Sequence, residues 1–455
     1  LIRQTEFANK KVLVLGAGIS GLSVAQILQQ LGASVVVSDA KAMDQFEQDF
    51  SELQAGGIAF VMGHQNEKLL DDIDYLVVSP GISIYIPLVV AAQNRGICVM
   101  SEVEVAYRLS EAPMIAITGT NGKTTTTTLV GEMLKTTGHQ VGVGGNIGAA
   151  LSEQALAARP DGFVVAEISS FQLEGVSEFR PHIAAILNLT PDHLDRHHTM
   201  EVYQQMKEQV FSRQEASDYL ILNYDDMAVR GMAKRAKGKV VYFSRQQCLA
   251  AGIYIENGKI KMNLDGNSSE ICAVNDINIK GGHNVENALA ACGVAYFAGV
   301  RPEAMAEVLK TFSGVEHRIE FTAEIAGIAY YNDSKATNPE SAIKALEAFD
   351  GHIILIAGGR DKNTDLTAFM KLAKERVDHL ILLGEAKQRF AEAATQQGVN
   401  NIHQVATFAE AVTLAHKLAQ PPQVVVLSPA CASYDMFNNY EERGKVFKDL
   451  VRQLG

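Results

Sequence analysis

The chain has 455 residues, 47% of them hydrophobic and 20% charged. That is globular usage over a length that calls for roughly two to four domains, and it excludes a disordered protein. Its 40 Lys and Arg stand against 52 Asp and Glu, a formal net charge of −12 with no basic block, so a nucleic-acid partner is not expected. Any anionic ligand must therefore meet positive charge gathered locally in a cleft.

Five cysteines (Cys98, Cys248, Cys272, Cys292, Cys431) form no CxxC pair, which fits reduced thiols in a cytoplasmic protein. No run approaches about 18 uninterrupted apolar residues, and the first ten residues carry no apolar core. Neither a membrane span nor a secretion signal is expected.

Buried-strand runs alternate with helical patterns almost from end to end, which predicts α/β units with parallel sheets and ligands at the carboxyl ends of strands. The first signal is Lys11–Gly21, KVLVLGAGISG, a strand run into Gly16-x-Gly18-x-x-Gly21 and an amphipathic helix, with Asp39 ending the next strand. Read alone this is a dinucleotide fingerprint, but the same glycines serve any ligand whose pyrophosphate sits at that helix N-terminus, such as a nucleotide sugar. The motif therefore reads as a pyrophosphate site rather than as a nicotinamide site. The unit closes near Arg108–Pro113, where a helical pattern stops before a proline.

The next stretch, AITGTNGKTTTTT over 116–128, is the most specific in the chain. An apolar strand enters a loop containing Gly119, Thr120, Asn121, Gly122, Lys123, Thr124 and Thr125, and a helix follows. Gly119 and Gly122 free backbone N–H groups for phosphate oxygens, Lys123 supplies charge at the β/γ end of ATP, and Thr124 offers a hydroxyl to Mg²⁺. Ile117 stands where the longer GxxxxGK[ST] pattern has glycine, so this is a shorter variant.

Three polar clusters follow, each just past a strand: Gly144–Gly148 around Asn146, Glu167–Gln172 with Ser169, and Asn188–His197. Glu167 reads as a carboxylate near the phosphates or as a helix cap. His193-x-Asp195-x-His197 has spacing that admits a transition metal, although a phosphate loop already calls for Mg²⁺ and oxygen ligands. From Val240 to Ile279 the pattern turns to short alternating strands around Asn257-Gly258 and Asp265-Gly266, an antiparallel insertion. A helix from Asn284 to Val294 closes this unit, and a third α/β unit begins near Gly314.

The motifs GTNGKTT, GGNIG, EISSFQL, NLTPDHLDRH, GGHNVENALAA, HRIE, NDSKATNPES, AGGRDK and SPACASYDMF occur in the order seen in the Mur ligases, and the chain resembles that family over its whole length. The resemblance implies three domains: 1–111, Rossmann-like and UDP-substrate-binding; 112–314, a P-loop ATPase-like centre; and 315–455, Rossmann-like and glutamate-binding. It implies ATP-driven amide formation through an acyl phosphate, with D-glutamate joined to UDP-N-acetylmuramoyl-L-alanine; a cytoplasmic monomer is expected.

Carried over residue by residue, Lys123, Glu167, His193 and Lys207 are catalytic. Two Mg²⁺ ions are implied, one on Thr124 and Glu167, the other on His193 and a carbamylated Lys207; otherwise Lys207 is a solvated helix lysine. Asn287, Arg318 and Asp333 join the phosphate loop around ATP, in a site completed by domain closure. Gly16, Gly18, Asp39, Lys41, Ser79, Gly81, Asn146 and Ser169 take the UDP substrate. Lys335, Thr337, Lys362, Ser433, Tyr434 and Tyr440 take glutamate. A nicotinamide oxidoreductase would leave the phosphate loop, Glu167 and Lys335 without a role. A non-catalytic ATP-binding switch predicts ATP binding without substrate-dependent phosphate release. The ligases that add L-alanine or a diamino acid, and folylpolyglutamate synthase, share the phosphate loop and are not expected to carry NDSKATNPES or SPACASYDMF in this form.

Overall fold

The computed structural model describes residues 4–46, 49–361 and 363–454. Among the described residues, twenty strands form three sheets. The first is wholly parallel, with β1 (Lys11–Leu15), β2 (Ser34–Asp39), β3 (Ala59–Met62), β4 (Tyr75–Val78) and β5 (Cys98–Ser101) in the order β3-β2-β1-β4-β5. Valine and leucine runs such as KVLVL are apolar on both faces because helices cover both. Strand order reverses between β1 and β4, where Gly16 and Ser79 leave the sheet, and such a switch point opens a crevice.

The second sheet has nine strands: β6 (Met114–Thr118), β7 (Val141–Gly145), β8 (Phe163–Glu167), β9 (Ile183–Ile186), β10 (Tyr219–Asn223), β11 (Lys239–Ser244), β12 (Gly252–Glu256), β13 (Lys259–Leu264) and β14 (Asn267–Ala273). β6 lies between β8 and β9, pairing Ile117 with Glu167 and Thr118 with Ile186, so three functional loops leave adjacent strand ends. The antiparallel part begins later than the sequence pattern suggests. β11 and β12 are still parallel to their predecessors, and only β12–β14 run antiparallel, extending the same sheet. Asn257-Gly258 and Asp265-Gly266 make the two turns with positive φ throughout, as two-residue hairpin loops require.

The third sheet holds β15 (Glu320–Ile325), β16 (Ile328–Asn332), β17 (Ile353–Gly358), β18 (Val377–Leu383), β19 (Ile402–Gln404) and β20 (Val424–Leu427), in the order β15-β16-β20-β17-β18-β19. Only the β15–β16 pair is antiparallel. The chain divides into two compact units, Leu1–Asp276 with Glu286–Leu309, and Ile277–Val285 with Lys310–Gly455. The first two sheets share the first unit, and the third belongs to the second.

Candidate active site

In the first unit a cleft of about 610 Å³ opens at the β1/β4 switch point, lined by Gly16, Gly18, Asp39, Lys41, Ser79, Gly81 and Asn146 among others. Seven of the eight residues expected at the UDP substrate therefore face one cavity. Gly21 permits the tight turn, since a Cβ there would lie 2.0 Å from the Gly16 carbonyl oxygen. Ser79 Oγ donates to that same oxygen at 3.3 Å. Asp39 is already engaged, accepting from the Ala17 and Lys41 amides at 2.9 Å each, so it staples the two loops that form one wall.

Ser169, the eighth, is not among the cleft-lining residues. It caps the helix Ser170–Leu173 in a reciprocal box with Gln172, and Gln172 reaches the cleft instead. Apolar Phe46, Ile82 and Ile147 also line the cleft, and glycine spacing carried no signal for them.

The phosphate loop follows β6. Gly119 (φ +152°) and Gly122 (φ +84°) hold conformations that L side chains rarely adopt, and Gly122 opens the helix Lys123–Lys135. Asn188, at the end of β9, fixes the loop: its Oδ1 accepts from Asn121 N at 2.8 Å, and its Nδ2 donates to Asn121 O at 3.1 Å. Thr120 Oγ1 reaches Thr190 O at 3.1 Å and the Tyr203 hydroxyl at 3.2 Å. Asn287 packs so closely that a Cβ on Gly122 would stand 2.2 Å from its Oδ1. Thr124 and Thr125 are buried at the helix start.

Lys123 Nζ folds onto its own loop, donating to Gly119 O at 3.0 Å and Thr120 O at 2.8 Å. Lys207 Nζ, from the helix Met200–Glu208, donates to the same Gly119 oxygen at 2.9 Å and lies 4.6 Å from the Tyr203 ring centroid. Lys207 is 1% exposed, which rules out a solvated helix lysine. Burial pushes its pKa well below the usual lysine range and the Lys123 charge adds to the shift, while Asp192 opposes it.

Glu167 is buried at the end of β8, and its Oε1 accepts from Asn146 Nδ2 at 2.9 Å. Its Oε2 is buried with no hydrogen-bond partner among the described residues. The helix-cap reading fails, because the nearby cap is made by Ser169. A carboxylate oxygen left bare beside a phosphate loop is a donor of the kind Mg²⁺ takes.

His193 is half exposed, in the left-handed region at φ 52°, with its ring 4.7 Å from that of Phe171. His197 is buried, with Nε2 2.9 Å from Ser170 Oγ and Nδ1 facing Glu174 at 3.9 Å. Its two ring nitrogens are thus directed at protein groups, which argues against a zinc site spanning His193 and His197; the Asp195 side chain lies outside the described residues.

In the second unit Asp333 is buried, accepting from Ser428 Oγ at 2.7 Å and Ile319 N at 3.2 Å. Burial raises its pKa to about 7 against the opposing Arg318 charge. Arg318 lines a cavity of about 540 Å³ with Asn284, Ile319 and Tyr331. Lys335 Nζ lies 5.6 Å from the Tyr440 ring centroid, Thr337 N donates to Lys335 O at 2.9 Å, and Ser433 is buried. Tyr434 is exposed, and Lys362 lies outside the described residues.

The loops bearing Lys335 and Ser433 are joined by Arg443, whose isolated position in the sequence gave no warning. This guanidinium is 1% exposed and donates to Ser334 Oγ, Ser334 O, Cys431 O and Ala432 O at 2.7–3.3 Å. Burial lowers its pKa to about 10.

A cleft at a strand-order switch point, linked by the Asn146–Glu167 hydrogen bond to the strand next to a GxxGKT loop, is the arrangement expected of an enzyme that uses ATP on an anionic substrate. Family models bear on this directly. They match the Mur ligase MurD-like N-terminal domain over residues 10–101, the Mur ligase middle domain over 117–295, and the Mur ligase glutamate ligase domain over 317–431.

The chain belongs to the Mur ligase family. It is 46% identical over 451 residues to the UDP-N-acetylmuramoylalanine–D-glutamate ligase of Thermoanaerobacter sp. (strain X514), covering 99% of both chains. It is 47% identical over 451 residues to the protein of that name from Caldanaerobacter subterraneus subsp. tengcongensis, again covering 99% of both. In fold it resembles crystal structure II of MurF from Acinetobacter baumannii, with a TM-score of 0.62 at 18% identity over 98% of this chain and 92% of that one.

Proposed function

We propose that this chain is an ATP-dependent amide ligase that adds D-glutamate to UDP-N-acetylmuramoyl-L-alanine, a step of peptidoglycan precursor synthesis. Full-length identity to ligases bearing that name supports the reaction. The observation that carries the chemistry is the pairing of a buried, amine-depressed Lys207 with the bare Glu167 oxygen around one phosphate loop.

A carboxylate is a poor acylating agent. Its oxygen therefore attacks the γ-phosphorus of ATP, ADP leaves, and an acyl phosphate forms. The glutamate nitrogen then attacks the acyl carbon and phosphate departs, the amine having lost its proton. Lys123 neutralises charge at the γ-phosphate, and the amides after Gly119 and Gly122 orient it. Asn146 reaches both the nucleotide-sugar cleft and Glu167, linking the acceptor's site to the phosphates. Gly16, Gly18, Lys41, Ser79 and Gly81 hold the UDP substrate, with Asp39 shaping the cleft and Ser169 acting through Gln172.

The bare Glu167 oxygen fits Mg²⁺, and with Thr124 it would hold one ion; His193 and Lys207, once carbamylated, would hold a second. Bound Mg²⁺ supplies Lewis-acid polarisation of phosphoryl oxygens. The carbamate would form when the neutral amine takes up carbon dioxide and one N–H proton is lost to solvent, and burial favours that neutral form of Lys207. Arg318 and Asp333, with Asn287, are proposed nucleotide contacts; Lys335, Thr337, Lys362, Ser433, Tyr434 and Tyr440 are proposed glutamate contacts.

No helix among the described residues is long and apolar enough to cross a membrane. A cytoplasmic monomer acting on nucleotide-linked and free amino-acid substrates completes the reading.

Phosphate release with UDP-N-acetylmuramoyl-L-alanine, ATP and a panel of amino acids tests it. Release with D-glutamate alone is expected. Release with L-glutamate or a diamino acid instead would overturn the assignment.

A further inference from the structure

We propose that Arg196 is a positioning residue that ties the nucleotide-sugar loop to the loop carrying His193, holding the acceptor substrate in register with the phosphate loop. The proposal rests on the reaction above and goes beyond it by naming the part that aligns its two halves.

Arg196 spans two elements of the first unit. Its Nη1 donates to Pro80 O at 3.0 Å and its Nη2 to Ile82 O at 2.8 Å. Pro80 and Ile82 flank Gly81 on the wall of the nucleotide-sugar cleft. From the other side, Nε and Nη2 pair with the two Glu174 oxygens at 3.0 and 2.5 Å, and the guanidinium lies 4.2 Å from the Phe171 ring centroid. The Glu174 side chain is 1% exposed and that of Arg196 14%, so solvent screens the pair little.

The contacts continue inward. Glu174 faces His197 Nδ1 at 3.9 Å, the His197 ring lies 5.3 Å from that of Tyr203, and the Tyr203 hydroxyl meets Thr120 in the phosphate loop at 3.2 Å. One guanidinium thus anchors the Pro80–Ile82 segment to packing that ends on the phosphate loop. A planar fork with five donors is needed to serve a bidentate carboxylate and two carbonyls together. A lysine has the charge without that geometry.

Arg196→Lys and Glu174→Gln, each checked for folding by circular dichroism and thermal melting, test the assignment. The first removes the fork and the second weakens its buried anchor, so either variant can carry the result. For a folded variant we expect the KM for UDP-N-acetylmuramoyl-L-alanine to rise about tenfold or more and kcat to fall by a similar factor, with the KM for ATP changed less than about twofold.

A second readout is the affinity for a non-hydrolysable ATP analogue, measured by calorimetry with and without the nucleotide sugar. Any enhancement in the unaltered protein should shrink in the variants. Unchanged kinetics in a folded variant, or equal rises in KM for all three substrates, would overturn the proposal. Lack of turnover by the unaltered protein would instead refute the reaction. Calorimetry of the nucleotide sugar against both variants would still judge the clamp, with undiminished affinity counting against it.

Discussion

Lys123 and Lys207 donate to one acceptor, the carbonyl oxygen of Gly119, at 3.0 and 2.9 Å. Two ammonium groups on one carbonyl repel, and the repulsion adds to burial in driving Lys207 toward its neutral form. With Lys207 neutral, Lys123 is the charge held at this loop, within a chain of net charge −12.

Removing the Lys123 charge should therefore act twice. Lys123→Ala loses stabilisation of the phosphoryl transition state, which lowers kcat by about two to four orders of magnitude with the fold intact. It also relieves the pressure on Lys207, whose pKa should rise. Steady-state phosphate release measures the first effect, and near-normal turnover of a folded variant would remove Lys123 from the mechanism.

Lys207→Ala should be nearly inactive. If the carbamate is what works there, acetate or formate at about tens to hundreds of millimolar should restore part of the activity, a concentration set by fragment-sized binding. Rescue by small alkylamines but not by carboxylic acids would show that Lys207 serves as a cation.

Gly21→Ala separates the two proposed nucleotide sites. The new Cβ would meet the Gly16 carbonyl oxygen at 2.0 Å and Ser79 Oγ at 2.6 Å, so the cleft wall must shift. The KM for the nucleotide sugar should rise by about tenfold or more while that for ATP stays within about twofold. A parallel rise in both would contradict the separation.

Asp333 sets a pH dependence. Its folded pKa of about 7 lies above the ordinary 3.8, so the protonated form is favoured in the fold and its contribution to stability falls as pH rises from about 4 to about 7. Asp333→Asn retains an acceptor for Ile319 N and carries no charge. Thermal melting should show the variant gaining on the unaltered protein between pH 5 and pH 8. A difference in melting temperature that does not change with pH would show that Asp333 does not titrate there.

The sequence by itself determined what is local. Strand, phosphate loop and helix are contiguous over 114–135, and the glycines that must take positive φ lie inside that stretch, so side-chain pattern and backbone restriction suffice. The Asn-Gly and Asp-Gly hairpins were legible for the same reason.

Where the antiparallel pairing begins was not local, because β11 runs parallel to its neighbour β10, and β12 to β11, which their own residues do not specify. Nor was the state of charged side chains. Lys207 sits in a helix of mixed polarity, and only packing against the Gly119 loop buries its amine. Asp39 lines the cleft, but only the fold shows that its oxygens also hold the Ala17 and Lys41 amides. Arg196 and Arg443 acquire their roles from carbonyls distant in the chain, and burial of a charge is a property of what surrounds it, which neighbours in sequence do not specify.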